Sequence, residues 1–555
     1  MTEKIIKWWW YNLAVTYPRI IDEIYYGTFT PEHAKMVLQI REAKSIPALK
    51  HTIYNFPYEL LMRSLDEQKR ILDIIEEEGL DLNQYIGELR DYQTVGTAFL
   101  YLSPRSCLGD GCGLGKTAEI AALINILRQK GQLTRFLIAV ENSAIGQIQV
   151  ELMKFTGLNV IALPSESDKM RRAIKKHNWN KVDGIVIKHS ALRSNVLSNW
   201  IALNLTPDGK CKIFNTFILD ESSVIKRDNT KIYDYTRNIC NIVDRVHFLN
   251  ATTFETNIMD IYYQIDMLDP NMLPKKWRIE KEFCVYSKKT YWVKEPDEHG
   301  VKRPVMKFKR ERSSYKNQEI FKNRLKLCYF GRSIADVGMD RPHIYKVYEV
   351  EPSILQSSAL AKGYRYMEVL NSPSNVPETG IPFDRANVPK LDRLCALLEN
   401  EFSDSRVMIY CFHIQAQKKI QKELEKIGRK PVILNGDTVD MERLEITAKF
   451  NRGEYDVIIT NIQKSLNLNG GDVCIFYSAP GNPSKMEQIR ARIDRHIDDR
   501  VKTFVLLLYK GTDEYRFITQ VAKQRGIDAR ALTIDSKTAI DFFMEALEAE
   551  KENQE

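Results

Sequence analysis

The sequence predicts an α/β protein with two parallel-sheet lobes, a helical region ahead of them and a basic β-hairpin inserted between them. Three observations carry that prediction. Apolar runs of strand length alternate with amphipathic helical stretches twice, from about 88 to 275 and again from about 386 to 520. A glycine-rich turn at 109–115 leads directly into a helix-like segment. Near residue 300 the alternation is broken by two β-like runs dense in lysine, arginine and aromatic side chains. The 555 residues exceed one ordinary core, so two to four domains are expected.

The expected divisions are an N-terminal helical accessory region (1–87), a first lobe (88–275), the hairpin and linker (276–345), a second lobe (346–525) and a C-terminal helix (526–555). In the first region Thr30 and Pro31 suit an N-cap and first helical turn, and Leu60 to Leu80 has helical apolar spacing. Trp8, Trp9 and Trp10 either stack on bases or pack against a neighbouring domain; packing is the commoner use of adjacent tryptophans. First-lobe strands are expected at Phe136–Val140, Gly184–Ile187, Thr216–Leu219 and Val246–Leu249. Second-lobe strands are expected at Arg406–Tyr410, Pro431–Leu434, Asp456–Ile459, Val473–Tyr477 and Lys502–Tyr509, with helices at Ala416–Ile427 and Met441–Phe450. Ligands of such sheets sit at the C-terminal strand ends.

Tyr286 to Lys294 and Val301 to Lys309 read as a hairpin around Pro296–Gly300, with Pro304 suited to an edge strand. Residues 281–316 hold eleven Lys/Arg against five Asp/Glu, most of the basic excess of a chain whose net charge is +8. Lys288, Lys289, Lys307 and Lys309, interleaved with Tyr286, Tyr291, Trp292 and Phe308, are candidate nucleic-acid contacts. The competing reading is a solvated edge whose lysines prevent aggregation.

Other classes recede. No apolar run has the length of a membrane span, and no signal-peptide pattern opens the chain. Nine scattered cysteines without a C-x-x-C pair point to a reducing compartment, with neither a disulfide framework nor a zinc site. An intracellular protein is expected, in the cytoplasm or nucleoid of a microbe or in a virus-infected host cell.

Glycines at 109, 111, 113 and 115 precede Lys116 and Thr117. Such a run lets backbone N–H groups converge on phosphate at a helix N-terminus, with Lys116 reaching the β- and γ-phosphates and Thr117 ligating Mg²⁺. The strict phosphate-loop pattern fails because Asp110 stands at its first glycine, which leaves a glycine-rich surface turn as the alternative. Phe217 to Leu219 is a buried-strand pattern ending in Asp220 and Glu221, suited to holding Mg²⁺ and orienting the attacking water. Adjacent acids after a strand also serve as helix N-terminal charges. Arg492 and Arg495, three apart, would share a helix face and suit an arginine-finger role, or else a solvated basic helix.

Taken together these segments resemble the SWI/SNF-type ATPases of helicase superfamily 2, from about Leu89 to Tyr515. Leu89-Arg-Asp-Tyr-Gln93 resembles the adenine-reading Q motif. Asp110-Gly-Cys-Gly-Leu-Gly-Lys-Thr117 resembles motif I, D-E-M-G-L-G-K-T, which itself begins with Asp. Asp220-Glu-Ser-Ser223 resembles the D-E-A-H box. Leu249 to Asn257 resembles motif III, and Gly331-Arg-Ser-Ile-Ala-Asp-Val337 resembles R-R-x-K-x-x-V. Val407 to His413, Leu434 to Thr438, Ser465 to Leu468 and Gln488 to Arg495 follow as motif IV, the L-x-G-x-T strand end, motif V and motif VI. The departures are Thr253 for proline, the missing double glycine of motif V, and Asp494 for histidine.

The resemblance implies two RecA-like lobes, ATP and Mg²⁺ as cofactors, and ATP-driven movement along nucleic acid, most simply duplex or branched DNA. It implies Gln93, Asp110, Gly111, Cys112, Gly113, Leu114, Gly115, Lys116 and Thr117 as nucleotide-binding residues. Thr117 and Asp220 would be the Mg²⁺ ligands, and Glu221, Gln488, Arg492 and Arg495 the catalytic group. A strand-separating helicase or transcription-associated ATPase is the main alternative, and a binding scaffold with a degenerate ATPase the lesser one. A monomer is expected, with the N-terminal helices open to a protein partner.

Overall fold

The structure is a computed structural model. It describes residues 87–514 apart from 143, 251–258, 271–272, 274, 297–301, 318–320, 322–324, 326–327, 333, 338–342, 463–466, 481–482, 495–499 and 513, and in addition 543–546 and 548–549. The tryptophan cluster, the helix expected over 60–80, most of the motif III stretch, Ser465 and Arg495 lie outside the described residues, as does most of the C-terminal helix.

The first lobe begins with helix α1 (Asp91–Leu102), strand β1 (Arg105–Leu108) and helix α2 (Lys116–Gln129). There follow β2 (Phe136–Val140), α3 (Ile145–Thr156), β3 (Val160–Ala162), α4 (Ser167–Lys176), β4 (Gly184–Lys188), α5 (Asn195–Ala202), β5 (Thr216–Leu219), α6 (Lys231–Ile242), β6 (Arg245–Leu249) and α7 (Met259–Leu268). All neighbouring strands pair in parallel, in the order β3-β4-β2-β5-β6-β1, and the short strand β9 (Tyr329–Phe330) closes the far edge beside β1. Strands β2 and β5 are buried along their whole length because helices cover both faces. One apolar cluster packs each face: Phe136, Ile138 and Leu123 on one side, Leu137, Phe217 and Phe248 on the other.

Helix α8 (Lys276–Phe283) runs into β7 (Cys284–Pro296), which pairs antiparallel with β8 (Lys302–Tyr315) as a two-stranded ribbon. Its strands are longer than the alternation suggested, with a register irregularity at Val285/Tyr286. Pro304 stands opposite Lys294, where an edge strand tolerates its missing N–H. The foot of the ribbon belongs to the first lobe: Cys284, Tyr315, Phe321 and Cys328 are buried in that lobe's core.

The second lobe contains β10 (Ile344–Val350), α9 (Ile354–Ala361), α10 (Tyr366–Asn371), α11 (Pro389–Glu399), β11 (Val407–Tyr410), α12 (Ile414–Lys426), β12 (Pro431–Leu434), α13 (Asp440–Arg452), β13 (Val457–Thr460), β14 (Val473–Phe476), α14 (Pro483–Arg490) and β15 (Thr503–Tyr509). Its sheet is parallel throughout, in the order β10-β15-β14-β11-β13-β12. Phe543, with Met544 and Ala546 beside it, packs into this core against Tyr345 and Phe476. Within it, the fully buried Lys390 ammonium meets both Glu514 oxygens at 2.9 and 3.0 Å and the Asn371 side-chain oxygen at 2.9 Å. An ion buried this deeply is tolerated because each of its protons has an acceptor.

Candidate nucleotide site

The phosphate loop is shaped by two glycines and by a strand from far along the chain. Gly113 (φ 88°) and Gly115 (φ 82°) take the left-handed conformation, which turns the chain into α2 and leaves its first N–H groups without intrahelical partners. A side chain at Gly115 would also run into the Gln93 amide. On the other flank, Gly109 N donates to Phe330 O at 2.6 Å and Gly111 N donates to Arg332 O at 2.8 Å. These backbone bonds extend the β1–β9 pairing along the loop.

Lys116 Nζ donates to the carbonyls of Asp110 (2.7 Å) and Gly111 (3.2 Å), so the ammonium lies over the loop it serves. Thr117 and Cys112 are half-buried at the loop surface, whereas the Leu114 side chain is fully buried and only its backbone faces α1. Gln93 Nε2 donates to Leu114 O at 2.9 Å and Gln93 Oε1 accepts from Arg90 N at 3.0 Å. Both ends of that amide are therefore engaged by protein rather than presented to a base, and Tyr92 braces the same carbonyl at 2.9 Å.

Asp110 requires a correction. Its carboxylate is fully buried and turned away from the loop's open face. Arg332 donates to Asp110 Oδ1 from its backbone N and from Nε, both at 3.1 Å, and from Nη2 to Oδ2 at 2.5 Å. The same guanidinium reaches Glu119 Oε1 at 2.8 Å and the Tyr92 carbonyl, and stacks over Phe330 at 4.7 Å. Burial, and then the charge of Asp110, push the Glu119 carboxyl well above its ordinary pKa, against the pull of Arg332 and Lys116. Asp110 is a support for the loop, not a nucleotide contact.

The acid pair follows β5. Asp220 N donates to Ala139 O at 2.9 Å, which ties it to β2. Glu221 has φ 50° and ψ 54°, a left-handed conformation that costs a non-glycine residue about 1–2 kcal/mol. His189 Nε2 lies 2.8 Å from the Asp220 carbonyl. Ser222, at the alanine position of the family box, is buried and donates to Gln264 Oε1 on α7 at 2.5 Å.

In the second lobe α14 ends at Arg490, and the chain continues as a turn through Ile493. Arg492 therefore lies in a turn beyond the helix end, and Arg495, expected to share a helix face with it, is outside the described residues. Arg492 is 7% exposed and its Nε donates to Gln488 O at 2.7 Å; Gln488 is itself buried. Arg490 donates to Asp494 at 2.5 Å and to Glu487 at 2.8 Å, and Asp494 lies 3.1 Å from His343 Nε2. The aspartate in place of the family's histidine is thus the acceptor that binds this turn to the residue before β10.

The Cys112 thiol responds to charges of both halves. Burial raises the pKa of its thiol; Lys116 and Arg492 lower it, and Glu221 and Glu487 raise it further. One loop side chain therefore feels the charges of its own lobe's lysine and acid and those of the opposite lobe. Among the described residues no group of three or more His, Cys, Asp or Glu could hold a metal. Thr117 and Asp220 offer hard oxygen donors of the kind Mg²⁺ takes when phosphate oxygens complete its shell. Of the hairpin lysines, Lys288 is exposed and sits 5.4 Å over the Phe308 ring.

Arg332, Glu119, Arg490 and His189 are site residues that sequence reading missed. Arg332 stood in a segment noted for its resemblance, but its partner is 222 residues away. Glu119, three residues after Lys116, was the available signal: an acid on an otherwise apolar face.

Two parallel-sheet lobes, with a phosphate loop and acid pair in one and a buried arginine in the other, define a two-lobed nucleotide-binding protein. The SNF2-related domain model matches residues 61–299, and the helicase conserved C-terminal domain model matches 389–496. The chain belongs to the SNF2-type group of helicase superfamily 2. YwqA of Bacillus subtilis strain 168, named as a candidate ATP-dependent helicase/translocase, is 22% identical over 449 residues, 77% of this chain and 47% of its own length. The DNA excision repair protein ERCC-6-like of Bos taurus is 26% identical over 273 residues, 43% of this chain and 21% of its own. The uncharacterized ATP-dependent helicase YqhH of the same Bacillus strain is 22% identical over 420 residues, 71% of this chain and 70% of its own. The chain spans about half the length of the first of these relatives and about a fifth of the second. Among solved structures, the Sulfolobus solfataricus SWI2/SNF2 ATPase core in complex with dsDNA shares 18% identity over 84% of this chain and 97% of that one. Its TM-score is 0.38.

Proposed function

We propose that this chain is an ATP- and Mg²⁺-dependent motor that moves along nucleic acid, with double-stranded DNA as its track. The observation that carries the reading is the left-handed glycine turn that sets Lys116 at the start of α2, with the acid pair Asp220 and Glu221 following β5 of the same sheet. Lys116 would exchange its two loop carbonyls for phosphate oxygens. Glu221 orients the attacking water, and Arg492 receives the charge that spreads over the transferred phosphoryl group. Thr117 and Asp220 would hold Mg²⁺, which supplies charge neutralisation on the phosphates. Arg495 and Gln488 complete the second-lobe side, and the hairpin lysines contact the polymer backbone. The name of one relative, a DNA excision repair protein, supports DNA over RNA.

Strand separation is a second reading, favoured by one observation: Phe308, 69% exposed on the ribbon beneath Lys288, has the form of a wedge. ATP hydrolysis measured with duplex, single-stranded, forked and four-way DNA and with RNA tests both. Duplex should stimulate turnover at least as strongly as single strands. Stimulation by RNA alone would overturn the proposal, and unwinding of forked duplex would establish the second reading.

A further inference from the structure

At the C-terminal ends of β2 and β4 lies a cleft of about 490 Å³. Arg193 and Lys231 are exposed at its edge, while Glu141, His189 and Ser190 are half-buried along its wall. His189 therefore has two environments. One side of the ring lines this cleft; on the other, Nε2 lies 2.8 Å from the Asp220 carbonyl. A carbonyl only accepts, so Nε2 must carry the proton and donate.

We propose that His189 is a positioning residue that holds Glu221 in its working conformation and links it to the state of the cleft. The bonded carbonyl belongs to the peptide between Asp220 and Glu221, and that peptide's orientation sets φ at Glu221. The left-handed conformation of Glu221 is disfavoured for an L-residue by an amount comparable with one hydrogen bond. With the carbonyl held, the peptide stays turned and the carboxylate stays directed. With the bond lost, a crankshaft rotation returns Glu221 to negative φ and swings the carboxylate away. A phosphate backbone drawn to Arg193 and Lys231 bears on the same ring from the cleft side, so occupancy of the cleft reaches the acid that orients water. This relay rests on the reading of the chain as a nucleic-acid-stimulated ATPase.

The test compares the full chain with His189→Phe, which fills the space without donating, and His189→Gln, whose amide can reach the same carbonyl. His189→Phe should lower duplex-stimulated kcat about tenfold, leaving KM for ATP and duplex affinity within about twofold, because a small misplacement of a catalytic group costs turnover rather than binding. His189→Gln should restore most of the loss. Equal stimulation of the unaltered chain and His189→Phe would overturn the relay alone. So would parallel losses in both variants with a raised KM, the signature of a merely structural ring. An unaltered chain whose hydrolysis no nucleic acid changes would overturn the parent reading and the relay with it.

Discussion

Arg332 reaches Asp110, Glu119 and the Tyr92 carbonyl, three partners from three segments that surround the nucleotide loop. Removing its charge would leave the buried Asp110 carboxylate without its cation. Arg332→Met should therefore cost about 3 kcal/mol of first-lobe stability, in the range measured when one partner of a buried pair is deleted. It should also raise KM for ATP, because the loop loses the support that keeps its N–H groups converged. Denaturant melts and steady-state kinetics check both, and a variant as stable as the parent with unchanged KM would refute the role. Gly96 on α1 belongs to the same arrangement, since a Cβ there would strike both Glu119 and Arg332. These residues were poorly legible in the sequence. Lys116, Asp220 and Glu221 announce themselves because phosphate chemistry needs those types next to a glycine turn and a strand end. The partnership of Asp110 with Arg332 exists only because β9 lies beside β1, and no local pattern encodes that adjacency.

At the scale of elements, the apolar strands were readable almost to the residue, as Thr216–Leu219 and Pro431–Leu434 show. The missed strands are short or polar. β1 begins with Arg105, which looks like a surface residue. Its guanidinium is instead buried against the end of α7, donating to Leu268 O at 2.7 Å, and to Cys240 O on α6 at 2.9 Å. It satisfies helix-terminal carbonyls, a use that depends on tertiary packing. The ribbon's basic residues fall into register: Lys289 stands opposite Lys309 and Lys288 opposite Arg310. Like charges directly opposed destabilise an isolated ribbon, and a polyanion would relieve that repulsion. Reversing Lys288, Lys289, Lys307 and Lys309 to glutamate should weaken duplex binding and flatten its dependence on salt, since fewer counterions are released. The slope of log affinity against log salt is the measurement; an unchanged slope would return the ribbon to a solvated edge.

At the scale of the molecule, each lobe has its own pair of apolar clusters flanking its own sheet. Each can therefore move as a body, and on the proposed function closure would bring Arg492 toward the loop that carries Cys112. Glu221→Gln should still bind ATP while stopping hydrolysis, and so should hold the lobes together. Fluorescent labels on introduced cysteines at the exposed positions Lys169 and Lys426 should report a nucleotide-dependent change in separation that persists in this variant and reverses in the parent as ATP is consumed. No change on adding ATP to the variant would contradict lobe closure as the response to nucleotide.

The chain leaves the first lobe at α8, forms the ribbon, and returns through Phe321 and Cys328 to lay β9 into the sheet it left. Both ends of the insertion are thus anchored in one body before the chain crosses to the other. The ribbon is in effect a cassette. It can lengthen, shorten or be exchanged without disturbing either sheet, provided the strand beside β1 and the arginine behind the loop are restored at its exit. A family of motors with one engine and many attachments could be generated by varying only what lies between Cys284 and Tyr315.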